Sequence, residues 1–262
     1  MSARKSAYLR YLHDMGDVYI TISAKEPKSP DKAAKSTAAQ ASVGAQISPA
    51  PEMAAPPLQQ PIEEAATSGT GKAPAEKKTE LHEFYAQIKD CQKCALGATR
   101  TKFVFGTGSA DADIMFIGEA PGHEEDLQGI PFVGRAGRLL DKILAAAGLE
   151  RNRIYIANVL KCRPPENRDP LPAEERACIP YLYRQIEIIQ PRLICCLGRI
   201  AAHVLLNTKE SMGNLRGAVH KMRGIPTIVT YHPAALLRNE NLKHPTWDDF
   251  QFMLKFLEEQ KE

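Results

Sequence analysis

Three polar residues stand where chemistry could be done, each just after an apolar run. Glu119 follows DIMFIG in DIMFIGEAPGHEED, Asn158 closes RIYIAN, and His232 ends TIVTYH before Pro233. An acid, an amide and an imidazole brought to one edge suit acid–base work and hydrogen bonding to a planar heterocycle. Taken singly, each has a plainer use. Glu119 serves as a helix cap, Asn158 as a turn residue, and His232 before a proline as a core histidine. Only their shared place after apolar runs argues for a ligand site. A second set is sulfur. Cys91 and Cys94 form CQKC, Cys162 lies in KCRPP, and Cys178 lies in ERACIPY. Four thiolates from three segments suit a tetrahedral Zn²⁺ or a [4Fe–4S] cluster. A lone CxxC also fits a redox pair, although that motif expects a strand before it, and here a helical segment precedes it. Cys195 and Cys196, adjacent in an apolar run, point to opposite faces and read as core.

The elements that must position these residues alternate. LHEFYAQIKD (81–90) reads as a helix running into Cys91. Apolar runs at 113–118, 153–160, 192–198 and 227–232 read as strands. Between and after them, 134–149, 172–189, 200–207 and 247–259 read as helices, with Pro172 and acidic residues opening the second. Strand–helix alternation predicts a three-layer α/β/α domain on a mainly parallel central sheet. Ligands of such sheets bind beyond the carboxyl ends of the strands. FGTGSADAD (105–113) precedes its strand instead of following it, so a dinucleotide fingerprint is absent.

Composition sets the outer limits. The 262 residues carry a net charge of +3, with 10 basic against 9 acidic residues up to position 80 and 24 against 22 after it. A nucleic-acid partner must therefore be met by local patches and not by a basic tail. No run is long and apolar enough to span a bilayer, and the first residues lack a signal-peptide h-region. The expectation is a soluble, cytoplasmic protein with reduced or metal-bound cysteines. Residues 1–25, with Tyr8, Leu9, Tyr11 and Leu12, read as a short docking element. Residues 26–80, rich in Ala, Pro and Ser and free of aromatics, read as a disordered linker; residues 81–262 read as the domain.

GEAPGHEEDLQGIPFVGRAGRLLD, NVLKCRPPENRDP, YHPAALLR and the CQKC pair together resemble the motifs of family 4 uracil-DNA glycosylases, in order and over nearly all of residues 81–262. The resemblance implies hydrolysis of the N-glycosidic bond of uracil in single- or double-stranded DNA. It implies an enzyme that starts base excision repair, monomeric, in the bacterial cytoplasm about the nucleoid. Cys91, Cys94, Cys162 and Cys178 would bind a structural [4Fe–4S] cluster. Glu119 and Asn167 would orient or activate water, and His232 would donate to uracil O2. Gly118, Phe132, Asn158, Glu125 and Asp126 would form the base pocket, with Phe132 stacking and Asn158 reading the Watson–Crick edge. Leu237 and Arg238 would enter the duplex where the base leaves. PPENRDP carries no histidine, unlike relatives that capture uracil covalently, which implies turnover. Two other readings remain: a non-catalytic Fe–S protein that senses damaged DNA, and a metal-stapled protein in which Cys91 and Cys94 cycle redox.

Overall fold

A computed structural model describes residues 72–260. The docking element expected over 1–25 and all but the last residues of the expected linker lie outside them. Six strands form one sheet: β1 (Thr107–Gly108), β2 (Ile114–Gly118), β3 (Tyr155–Asn158), β4 (Leu193–Leu197), β5 (His220–Met222) and β6 (Ile225–Thr230), in the order β1-β3-β2-β4-β6-β5. The four central strands are parallel, and β1 and β5 close the two edges antiparallel. The four expected strands are those central ones. They read as continuous apolar runs because both of their faces are covered.

The faces are covered by different helices. On one side Met115, Ile117, Ala157, Ile194, Cys196 and Val229 pack under α1 (Pro74–Ile88), α5 (Pro172–Ile189) and α6 (Arg199–Leu206). On the other, Ile114, Phe116, Ile156, Cys195 and Ile228 pack under α4 (Arg135–Ala146) and the closing helix α9 (Lys243–Glu259). This is the expected three-layer arrangement, and Cys195 and Cys196 fall into opposite cores as their alternation requires. The short helices α2 (Leu96–Thr99), α3 (His123–Gln128), α7 (Met212–Leu215) and α8 (Pro233–Arg238) fill connections.

One boundary differs from the expectation. Helix α1 begins at Pro74, not at Leu81, so residues 74–80 belong to the folded unit. Pro74 takes the first helical position, and the Glu76 carboxylate reaches back to accept from the Ala73 amide at 3.1 Å. Lys77 is buried; its ammonium donates to Asp111 at 2.7 Å and to the Ile189 carbonyl at 3.0 Å. A lysine in a polar stretch, KAPAEKKTE, gives no apolar signal, although its stem and charge are both used.

Candidate active site and cysteine cluster

The sheet order reverses beside β2, because the chain leaves it for β3 on one side and then for β4 on the other. A cavity of about 590 Å³ opens beyond the carboxyl ends of the parallel strands. Its lining comes from each of them: Glu119 after β2, Asn158 from β3, Gly198 after β4, and Tyr231 and His232 after β6. Phe132, Glu125, Asn167 and Arg238 also line it. A larger groove of about 1580 Å³ runs along α1 and β1 but collects none of these residues. The smaller cavity is the candidate site, since only it gathers the strand-end chemistry.

Glycines let its walls close in. A Cβ on Gly118 would lie 2.5 Å from the Asn158 amide oxygen and 2.6 Å from the edge of the Phe132 ring. Gly198 has a φ of +95°, and a Cβ there would meet the His232 Cβ at 2.8 Å. The Phe132 backbone is itself left-handed, with φ 54°. Such a conformation is strained for an aromatic residue and must be held from outside. It is held by Glu125, whose Oε1 accepts from the Val133 and Gly134 amides at 2.9 and 2.8 Å. Phe132 is thereby fixed with its ring centroid 5.5 Å from that of His232.

Asn158 is 2% exposed, and its Oδ1 is the one buried side-chain oxygen or nitrogen without a hydrogen-bond partner among the described residues. A buried unpaired amide oxygen costs about 1–3 kcal/mol, so its retention argues for a ligand that satisfies it. His232 caps α8: its Nδ1 accepts from the Ala234 amide at 3.1 Å, which leaves the ring proton on Nε2. Burial, reinforced by Arg238 and opposed by Glu125, lowers its pKa to about 4, so the imidazole is neutral at ordinary pH. Glu119 is shifted the other way, to about 6, by burial and then by the negative charge of Asp169; Arg199 opposes and Glu175 adds.

The remaining expected site residues fall in three groups. Asn167 lines the cavity at its rim, exposed, with φ 55° and its Oδ1 accepting from Arg163 Nε at 2.8 Å. Arg238 lines the cavity at the end of α8, and Leu237 beside it is 43% exposed without lining it. Asp126 is a correction: it is buried and stands outside the lining, with both carboxylate oxygens accepting from the Thr101 amide. Its place one residue after Glu125 on a helix turns it to another face. Arg168 also lines the cavity while pairing with Glu174, and Lys243 pairs with Glu240. Residues that sequence reasoning missed are Gly198, Asp169 and Arg199, which reach the site only through the fold. The GRIA turn directly after the third parallel strand was the available signal for two of them.

The sequence matches a known family. A sequence model described as the uracil DNA glycosylase superfamily matches residues 105–259. The type-4 uracil-DNA glycosylase of Archaeoglobus fulgidus is 45% identical over 179 residues, covering 65% of this chain and 90% of that protein. The chain belongs to the type-4 uracil-DNA glycosylases. The relative named so in Thermotoga maritima is 42% identical over 188 residues, 70% of this chain and 98% of its own length. The one from Saccharolobus solfataricus is 46% identical over 174 residues, 63% and 81% respectively.

Away from the cavity, this type-4 chain brings its four outlying cysteines together. Cys91 and Cys94 lie in the turn between α1 and α2, Cys162 follows β3, and Cys178 lies in α5; none is in a disulfide. Burial pushes the Cys162 thiol up to about 12; Arg100 opposes, and the nearby Cys178 and Cys94 add. Cys178 is raised by burial too, with Lys161 opposing and Cys94 and Cys91 adding. Arg100 donates to Cys162 Sγ at 3.5 Å, the Lys161 amide to Cys178 Sγ at 3.3 Å, and the Tyr181 hydroxyl to Cys91 Sγ at 3.2 Å. Among the described residues no group of three or more His, Cys, Asp or Glu side chains is placed to hold a metal ion.

Proposed function

We propose that this chain is a DNA repair enzyme that flips uracil out of DNA, hydrolyses its N-glycosidic bond and leaves an abasic site. The observation that carries this reading is the unpartnered Asn158 amide oxygen at the strand-end cavity. A primary amide accepts and donates at once, so it matches uracil N3–H and O4. Held in that orientation, it meets cytosine's N3 and N4 amine with the wrong polarity. Extruding a base costs a few kcal/mol, offset in part by stacking on Phe132, worth about 1–3 kcal/mol. The exposed Leu237 and Arg238 are suited to fill the vacated stack, with Arg238 also meeting phosphate.

Bond cleavage leaves negative charge on the uracil ring and positive charge on the sugar. A neutral His232 donating from Nε2 to O2 stabilises the first, and does so more strongly as charge develops. Glu119, as carboxylate, favours the cationic sugar and holds the water that attacks it; Asn167 at the rim helps orient that water. Glu125 sets Phe132, and Gly118 and Gly198 give the close approach that the base requires.

Cys91, Cys94, Cys162 and Cys178 would hold a [4Fe–4S] cluster. Four N–H or O–H donors at these sulfurs, from Lys93, Arg100, Lys161 and Tyr181, suit thiolate ligands. When bound, that group supplies cross-linking of three segments and no step of hydrolysis. The catalytic unit is proposed as a monomeric domain starting at α1. No helix among the described residues is long and apolar enough to cross a membrane, and an enzyme on chromosomal DNA would act in the cytoplasm.

The test is cleavage of an end-labelled oligonucleotide carrying one deoxyuridine, with alkali to break any abasic site and a thymine control. Scission of the uracil strand alone is expected. A folded, metal-loaded protein that binds this DNA without cutting it would leave a damage sensor as the better account.

A further inference from the structure

Lys161 stands between the cysteines and the base pocket, and neither function so far described uses it. Its side chain is fully buried. The ammonium donates to the Asn158 carbonyl at 2.9 Å and to Gln185 Oε1 at 2.6 Å, both neutral acceptors. Gln185 is fixed in turn, donating to the Phe105 carbonyl at 3.0 Å and the Tyr155 hydroxyl at 3.1 Å. The Lys161 main chain is also committed, its amide to Cys178 Sγ and its carbonyl to the Val104 amide. β1 pairs only with Tyr155 and Ile156, so the outer edge of β3 has no strand partner at Asn158. The lysine supplies a donor where the ladder has stopped.

We propose that Lys161 is a positioning residue that couples the metal group at the cysteines to the Asn158 amide; this rests on the function proposed above. Two requirements meet in it. An ammonium buried among neutral acceptors needs compensating negative charge, and thiolates around a cluster carry net negative charge. A recognising side chain must be held within a fraction of an ångström, and the Asn158 peptide plane is held by this ammonium. A leucine or methionine would fill the same volume and do neither.

The test compares Lys161→Met and Lys161→Gln with the wild-type, cluster-loaded full chain. Three quantities are read: inhibition by free uracil, affinity for DNA with a tetrahydrofuran abasic site, and the reduction midpoint of the bound metal group. For Lys161→Met, the inhibition constant of uracil should rise about tenfold or more, as for loss of a charge-assisted hydrogen bond. Affinity for abasic DNA should hold within about twofold, and the midpoint should move negative with the loss of nearby positive charge. Lys161→Gln keeps a donor without the charge, so it should recover uracil binding while keeping the shifted midpoint. Wild-type uracil inhibition in Lys161→Met, or a parallel loss of abasic-DNA affinity, would overturn the positioning role. If Lys161→Met does not fold, a wild-type midpoint in Lys161→Gln would overturn the coupling. A wild-type protein that neither excises nor binds uracil would overturn the underlying function instead.

Discussion

Glu119 and His232 occupy one cavity and are displaced in opposite directions by the same cause. Burial penalises whichever form is charged, so the acid is raised to about 6 and the base is lowered to about 4. Between those values both groups are neutral, and above about 6 the site holds a carboxylate facing a neutral imidazole donor. A carboxylate that stabilises the sugar cation is lost as pH falls through about 6. We therefore expect kcat/KM on uracil-DNA to drop about tenfold per pH unit below that point. His232, already neutral there, should add no second limb until about pH 4. Glu119→Gln should lower the rate by about 10²–10⁴-fold and remove this acid limb. Because ionised Glu119 is held against burial and Asp169, the same variant should melt no lower than wild type at pH 7. A pH–rate series and a thermal melt check both; an acid limb that persists in Glu119→Gln would assign it to another group.

At the scale of elements, the site is a spacing problem between strand ends. The turn after β4 passes so close to His232 that only a glycine fits, and the left-handed φ of Gly198 adds a second reason. Gly198→Ala should shift His232 by a few tenths of an ångström or more and cost up to about 10²-fold in kcat/KM, with the metal group's absorption intact. Gly213→Ala in α7, where the nearest atom stands at 3.7 Å, serves as the control and should be close to wild type. An unchanged rate in Gly198→Ala would show that the turn yields without moving the imidazole. This is also where the sequence was least legible. The four parallel strands announce themselves as apolar runs, and Glu119, Asn158 and His232 follow them directly. Edge strands β1 and β5, two and three residues long and partly polar, carry no such signal. Gly198 and Asp169 matter through distances across the sheet end, which no spacing along the chain encodes. Asp126 illustrates the reverse: the family resemblance implies a pocket residue, yet helix geometry gives its carboxylate to Thr101.

For the molecule as a whole, the cysteines stand on parts that the sheet leaves apart. As ligands of one group they would tie the turn after α1, the segment leaving β3 and the body of α5, residues up to 87 positions apart in sequence from Cys91 to Cys178. As bare thiols, Cys162 and Cys178 would be buried and un-ionised, contributing little beyond packing. As ligands they close long loops, and a cross-link over such lengths is worth about 2–5 kcal/mol. Cys162→Ser should therefore lower Tm by about 4–20 °C, at about 2–4 °C per kcal/mol for a domain of this size. The purified wild-type protein should be brown, with broad absorption at about 400 nm that the variant loses. Uracil excision should fall along with colour, because Asn158 stands four residues before Cys162 on the segment that the proposed cluster would anchor. A colourless wild-type protein holding one zinc would sink the cluster assignment while leaving the staple in place. A Cys162→Ser protein that keeps its Tm but loses chemistry would instead favour cysteines that react over cysteines that hold the fold.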